Sequence, residues 1–174
     1  MRAKLSVKEM CVFSMLGSIM FLSKLIMEFL PNIHLVATLI VAYTLVYRVK
    51  ALIPLYIYVF LSGVYAGFDV WWLPYLYIWT ILWLIIFLLP KNLNPKIGVL
   101  LYPAISCLHG LFYGVLYAPV QALVYGFGWK QTLAWLAAGL YFDLAHAIGN
   151  LVLGALIFPL VKLLTKLSRQ IGII

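Results

Sequence analysis

Long apolar runs, separated by short polar or turn-forming breaks, set the pattern of this chain. Six such segments can be drawn, at about residues 9–30, 33–47, 51–68, 71–90, 97–118 and 131–163. The breaks fall at Pro31-Asn32, Arg48-Val49-Lys50, Phe68-Asp69, Pro90 through Pro95, and Gly126 through Lys130. A helix of roughly 20 apolar residues crosses the hydrocarbon core of a bilayer, so each segment reads as a membrane span. The stretch 33–47 is short for this and is expected to tilt little or to borrow length from its neighbours. "PVQALVYG", residues 119–126, is too short to cross. Pro119 at its start and the Gly126/Gly128 pair at its end predict a re-entrant or interfacial turn there.

Composition agrees with the pattern. Of 174 residues, 67% are hydrophobic and 9% charged, more apolar surface than a soluble domain of this length could bury. The expectation is one all-α integral membrane domain over residues 1–174, with six transmembrane helices. The apolar stretch near the N-terminus is too long for a signal peptide, is interrupted by Lys24 and Glu28, and lacks an A-x-A site, so it reads as the first span. No lipidation signal is visible at either end. Cys11 and Cys107 both lie in apolar runs and have no CxxC or CxxH neighbourhood, which argues against a disulfide or a metal site.

The net charge of +8 would suggest nucleic acid in a soluble protein, but its distribution points to a membrane instead. Arg2, Lys4, Lys8, Arg48, Lys50, Lys91, Lys96, Lys162, Lys166 and Arg169 make ten of the twelve basic residues, and six spans put them all on one side. Lys130 faces the other side, and Lys24 sits inside the end of span 1. The positive-inside rule then places both termini in the cytoplasm of a multi-pass plasma-membrane protein. Three loops, near residues 31, 69 and 125, face outward.

Against this background the polar residues stand out. On span 6, Trp135, Gly139, Asp143, His146, Asn150 and Gly154 are spaced three or four apart and share one helix face. Asp143 lies near mid-bilayer, where a charge costs about 2.5–3.5 kcal/mol on insertion scales and should face the protein interior. Span 5 carries a second stripe, Tyr102, Ser106, His109, Tyr113 and Tyr117. Span 4 has an aromatic one, Trp72, Tyr75, Trp79 and Trp83, and span 1 has Gly17, Phe21, Lys24 and Glu28. Together these stripes suggest an outward-facing pocket for a small, flat, polar molecule. The alternative is that Asp143 and His146 only clamp span 6 to span 5, and that Lys24 and Glu28 pair with each other at the headgroups. Ser14 and Ser18, with Gly17 beside them, form a small-residue face on span 1 for close contact with another helix or another membrane protein.

No P-loop, HExxH or metal-ligand cluster is present, and no inverted repeat of the transporter kind is seen. The chain is therefore not expected to hydrolyse ATP or act as an enzyme, and it carries no cofactor. It would bind passively or take its energy from partners. An intramembrane enzyme using Asp143 and the histidines would need a lipid-soluble substrate and a metal, and these polar residues lack metal-site spacing on one helix pair.

The phrases "MLGSIMFLSKLIMEFLPNIHL", "ALIPLYIYVFLSGVYAGFDVWWLPYLYIW", "HGLFYGVLYAPVQALVYG" and "GLYFDLAHAIGNLVLGALIFPLVKLL" cover most of the chain. With six spans and an aromatic outer pocket, it resembles the substrate-binding S component of an energy-coupling factor (ECF) vitamin transporter, of the hydroxymethylpyrimidine or pyridoxine (vitamin B6) type. The resemblance implies a prokaryotic subunit that captures a vitamin outside, docks on a transmembrane coupling subunit with two cytoplasmic ATPases, and topples to open inward. It implies that ATP is hydrolysed by those partners and that nucleic acid is not one of them. The family docks through Ala-x-x-x-Ala on helix 1, which Ser14 and Ser18 match in size and not in identity. The expected ligand contacts are Trp72, Tyr75, Trp79 and Tyr113 for ring stacking. Asp143, His146, Asn150 and His109 are expected to supply hydrogen bonds, and Lys24 and Glu28 the rim. The outer half has no arginine, which disfavours ligands with obligatory carboxylates. An S component for another vitamin and a structural membrane subunit without a ligand are the competing expectations.

Overall fold

The computed structural model describes residues 5–91 and 93–174, so Arg2 and Lys4 lie outside the described residues. Those residues are helical, with no strand among them. The α-helices are α1 (Val7–Ile26), α2 (Val36–Tyr47), α3 (Leu52–Ala66), α4 (Tyr75–Leu88), α5 (Pro95–Leu111), α6 (Tyr113–Tyr125), α7 (Trp129–Leu153) and α8 (Ile157–Gln170). Short 3-10 turns join α2 to α3, precede α4 and join α7 to α8.

Among the described residues five helical runs are long and apolar enough to cross a membrane: Val7–Ile26, Val36–Ala66, Val70–Leu88, Pro95–Tyr125 and Trp129–Gln170. Large apolar side chains stand on their outer faces, among them Met15, Ile26, Leu88, Leu100, Leu123, Ile148 and Val152. Exposure on this scale suits a lipid surround and not water.

The run Val36–Ala66 turns back on itself. Phe13 packs on Tyr47 with ring centroids 5.2 Å apart, and the Tyr43 hydroxyl donates to the Leu16 carbonyl, so α2 runs antiparallel to α1. Lys50 pairs with Glu9, Gly17 abuts Ile57, and Phe21 meets Tyr65 at 5.7 Å, so α3 runs parallel to α1. The reversal occurs at Arg48, whose φ of 54° is a left-handed conformation unusual for a side-chain-bearing residue. Its surroundings hold it there. The Trp83 indole donates to the Arg48 carbonyl at 3.1 Å, and the guanidinium bonds the Phe87 carbonyl while lying 4.6 Å from that ring's centroid.

Helix α2 is the centre of the bundle. Val36 through Thr44 are all buried, which explains a segment that is apolar on every side and only 12 residues long. It needs no lipid contact of its own because α1, α4, α5 and α8 surround it.

Residues 119–126 do not form the expected re-entrant turn. Pro119 sits inside α6, which continues α5 after a local break at Phe112 and ends at Gly126, where φ is 66°. Proline removes one backbone donor, and packing on α7 lets the helix carry on. Only the glycine stop is seen where expected.

The seam between α5–α6 and α7–α8 is antiparallel. Tyr117 stacks on Trp135, Asp143 meets Gly114, Asn150 meets Ser106, and Gly154 abuts Pro103. Gly154 tolerates no side chain there, because a Cβ would stand 2.6 Å from Pro103 Cβ.

Candidate functional site

At the end of the bundle away from the Glu9–Lys50 pair lies a cavity of about 430 Å³. Lys24 and Glu28 at the end of α1 line its mouth, and the 30–34 loop, Trp71, Tyr75, Tyr113, Tyr117 and His146 form its walls. Each wall has a sequence origin. The loop after α1, from Met27 to Leu35, carries Pro31, Asn32 and His34. The three-to-four spacing on α4, α6 and α7 turns Tyr75, Tyr113, Tyr117 and His146 inward together.

The floor is a cluster of rings. The His34 and His146 centroids are 5.0 Å apart, and Tyr113 lies 4.9 Å from His146. Trp79, fully buried, sits beneath them in contact with His34, His146, His109, Tyr113 and Tyr75. All three histidines of the chain therefore converge on one indole.

Several polar atoms of this floor are buried without a hydrogen-bond partner: His34 Nδ1, His109 Nδ1, His146 Nε2, Trp79 Nε1 and the Tyr58 hydroxyl. An unpaired buried polar group costs about 1–3 kcal/mol, so a cluster of them needs a reason. Hydrogen bonding to a guest is one. His34 lies in the loop ahead of α2, where burial, helped by the nearby Lys24 charge, pulls its pKa down to about 4. It is therefore uncharged at neutral pH and can both donate and accept.

The expected site residues divide between cavity and scaffold. Tyr75, Tyr113, His146, Lys24 and Glu28 line the cavity. Trp79 and His109 lie below its lining. His109 Nε2 is 3.0 Å from the Ile78 carbonyl, which ties α5 to α4.

Three of the expected residues are placed away from the cavity or the outer face. Asn150 does not reach the cavity, because its amide donates to the Ser106 carbonyl at 3.0 Å and clamps α7 to α5. Trp72 is a seal between α3 and α4: its indole donates to the Val59 carbonyl at 2.8 Å, and its ring lies against Phe68 and Gly63. Trp71 takes the lining position instead. Gly17 is not on a docking face, since a Cβ there would stand 2.6 Å from Ile57 Cγ2 and 2.9 Å from the Pro54 carbonyl oxygen. Ser14 does face outward from the bundle, and Ser18 is half-buried.

Asp143 lies in a smaller neighbouring cavity of about 190 Å³, with Asn32, Gly114, Trp135 and Gly139. Tyr113, Tyr117 and Asn32 line both cavities, which therefore adjoin. Both carboxylate oxygens accept from the Gly114 backbone N–H, at 3.1 and 3.2 Å.

Sequence reasoning passed over His34, Asn32 and Trp71. The signal for His34 was its rarity, a third histidine two residues ahead of an apolar helix, but no helical periodicity linked it to the stripes. Compared with known proteins, the chain matches no family model, no curated protein and no solved structure.

Proposed function

We propose that this chain is a membrane-embedded binding subunit for a small heteroaromatic vitamin or precursor, of the vitamin B6 or hydroxymethylpyrimidine type. It works as the S component of an ECF importer in a prokaryotic plasma membrane. The observation that carries the reading is the aromatic cavity at one end of the bundle, with unpaired imidazole nitrogens in its floor. Its volume lies in the range of small-molecule sites. Tyr75, Tyr113 and Trp71 can stack on a flat ring, while His34 and His146 hydrogen-bond its nitrogens and hydroxyls.

The topology supports the same reading. In this reading the reversal at Arg48 divides the run Val36–Ala66 into two crossings, which would make six in all with both termini on one side. Lys8, Arg48, Lys50, Lys91, Lys96, Lys162, Lys166 and Arg169 belong to that end, which the positive-inside rule assigns to the cytoplasm. The cavity then opens outward. The exposed face of α1 around Ser14 is where a transmembrane coupling subunit, carrying two ATPases, would dock.

The test is uptake of labelled pyridoxine and hydroxymethylpyrimidine by the host, with and without this chain. Deletion is expected to abolish saturable uptake of one of the two at nanomolar to micromolar supply. Unchanged uptake of both would contradict the proposal.

A further inference from the structure

The smaller cavity beside Asp143 differs in chemistry from the main chamber. Asp143 is 8% exposed, at a depth where the helix around it is surrounded by apolar side chains. Among the described residues its two oxygens share a single donor, the Gly114 N–H, although a carboxylate can accept about four hydrogen bonds. Among the described residues no cationic side chain pairs with it; the one ion pair found there joins Lys50 to Glu9 at the other end of the bundle. A buried carboxylate normally has a cationic or multiply hydrogen-bonding partner.

The space around it is shaped for such a partner. Tyr117 and Trp135, stacked with centroids 6.2 Å apart and planes 24° apart, line the same cavity as Asp143. Aromatic faces beside a carboxylate favour a cation. Room is left open on α7: a Cβ on Gly139 would meet nothing within 4 Å. Gly114 shows that the carboxylate's approach to α6 is close, because a Cβ there would stand 2.4 Å from Asp143 Oδ2. Tyr113, Tyr117 and Asn32 line both this chamber and the main one, so the two adjoin.

We infer that the Asp143 chamber is a subsite for a protonated amine, so that one ligand lays its ring in the main cavity and its ammonium arm beside Asp143. The inference rests on the proposed binding function and adds the charge of the ligand to it. A ring bearing an aminomethyl group is then preferred over the same ring bearing a hydroxymethyl group.

Calorimetric titration of the detergent-purified full chain at pH 7 tests this with two matched pairs. These are pyridoxamine against pyridoxine, and the aminomethyl against the hydroxymethyl form of 4-amino-2-methylpyrimidine. The expected result is at least tenfold tighter binding of the aminomethyl member of one pair. Asp143→Asn should bring that ratio close to one. Gly139→Leu, which fills the chamber from a position with free space, should also lower the ratio, and it serves if the Asp143 variant does not fold. Equal affinity within both pairs overturns the inference while leaving the ring site standing. Retention of the preference in Gly139→Leu overturns the chamber as its source. No binding of any of the four compounds to folded protein overturns both this inference and the function it rests on.

Discussion

His146 and Tyr113 carry the most weight in the cavity, since each touches the space directly and the Trp79 floor beneath it. His146→Ala should weaken ring binding tenfold or more, about 1.4 kcal/mol, measured by titration of the purified variant. Tyr113→Leu keeps an apolar side chain but removes the ring, and a loss of about 0.5–1.5 kcal/mol is expected. Gly114→Ala acts by another route. The new methyl forces the Asp143 carboxylate off the Gly114 N–H, at a cost of about 1–3 kcal/mol, seen as a lower unfolding temperature in detergent. Sequence spacing was enough to bring Tyr75, Tyr113 and His146 to one place, because helical periodicity fixes which residues share a face. It could not tell which end of a stripe meets a cavity and which meets another helix. Asn150 and His146 sit on the same face of α7, four residues apart, yet one clamps and the other lines. That difference is set by where α5 approaches α7, a tertiary fact.

At the scale of elements, α1 and α3 illustrate how far small residues reach. Gly17 lets α1 lie against Pro54 and Ile57, so Gly17→Val should separate the two helices and reduce the yield of folded protein. Ser14→Leu changes an exposed position and should leave folding and ligand titration intact while weakening any association with a coupling subunit. Detergent-resistant copurification with ATPase subunits would measure the second effect. The apolar segments and their breaks were legible in the residues, including the stop at Gly126. Pro119 was misleading because local chemistry treats proline as a helix end, whereas neighbours packed on α6 carry the helix through it. The brevity of α2 was visible too, but its cause was not: a helix enclosed by four others has no bilayer to match.

For the whole molecule, the charge asymmetry and the alternating helix directions make a joint statement about orientation. In a variant whose Cys11 and Cys107 are replaced by serine, single cysteines at Asp69 and Gly128 should react with an impermeant maleimide in intact cells. Cysteines at Lys91 and Lys166 should react only after permeabilisation. The reverse pattern would invert the molecule and turn the cavity towards the cytoplasm. The Tyr47 and Ser168 hydroxyls lie 2.8 Å apart, so after the 3-10 break that follows α7 the basic end of α8 is held against the end of α2.

The central claim is that the ring-lined cavity holds a small heteroaromatic molecule, and its most direct test is tryptophan fluorescence of the purified protein during ligand titration. Trp71 lines the cavity and Trp79 underlies it, so a stacked ligand should change the emission of both. The panel comprises pyridoxine, pyridoxamine, hydroxymethylpyrimidine, thiamine, riboflavin and biotin. The account predicts saturable quenching by a one-ring compound, lost in His146→Ala. A folded protein whose emission is unmoved by every member, or moved equally in wild type and His146→Ala, would contradict it.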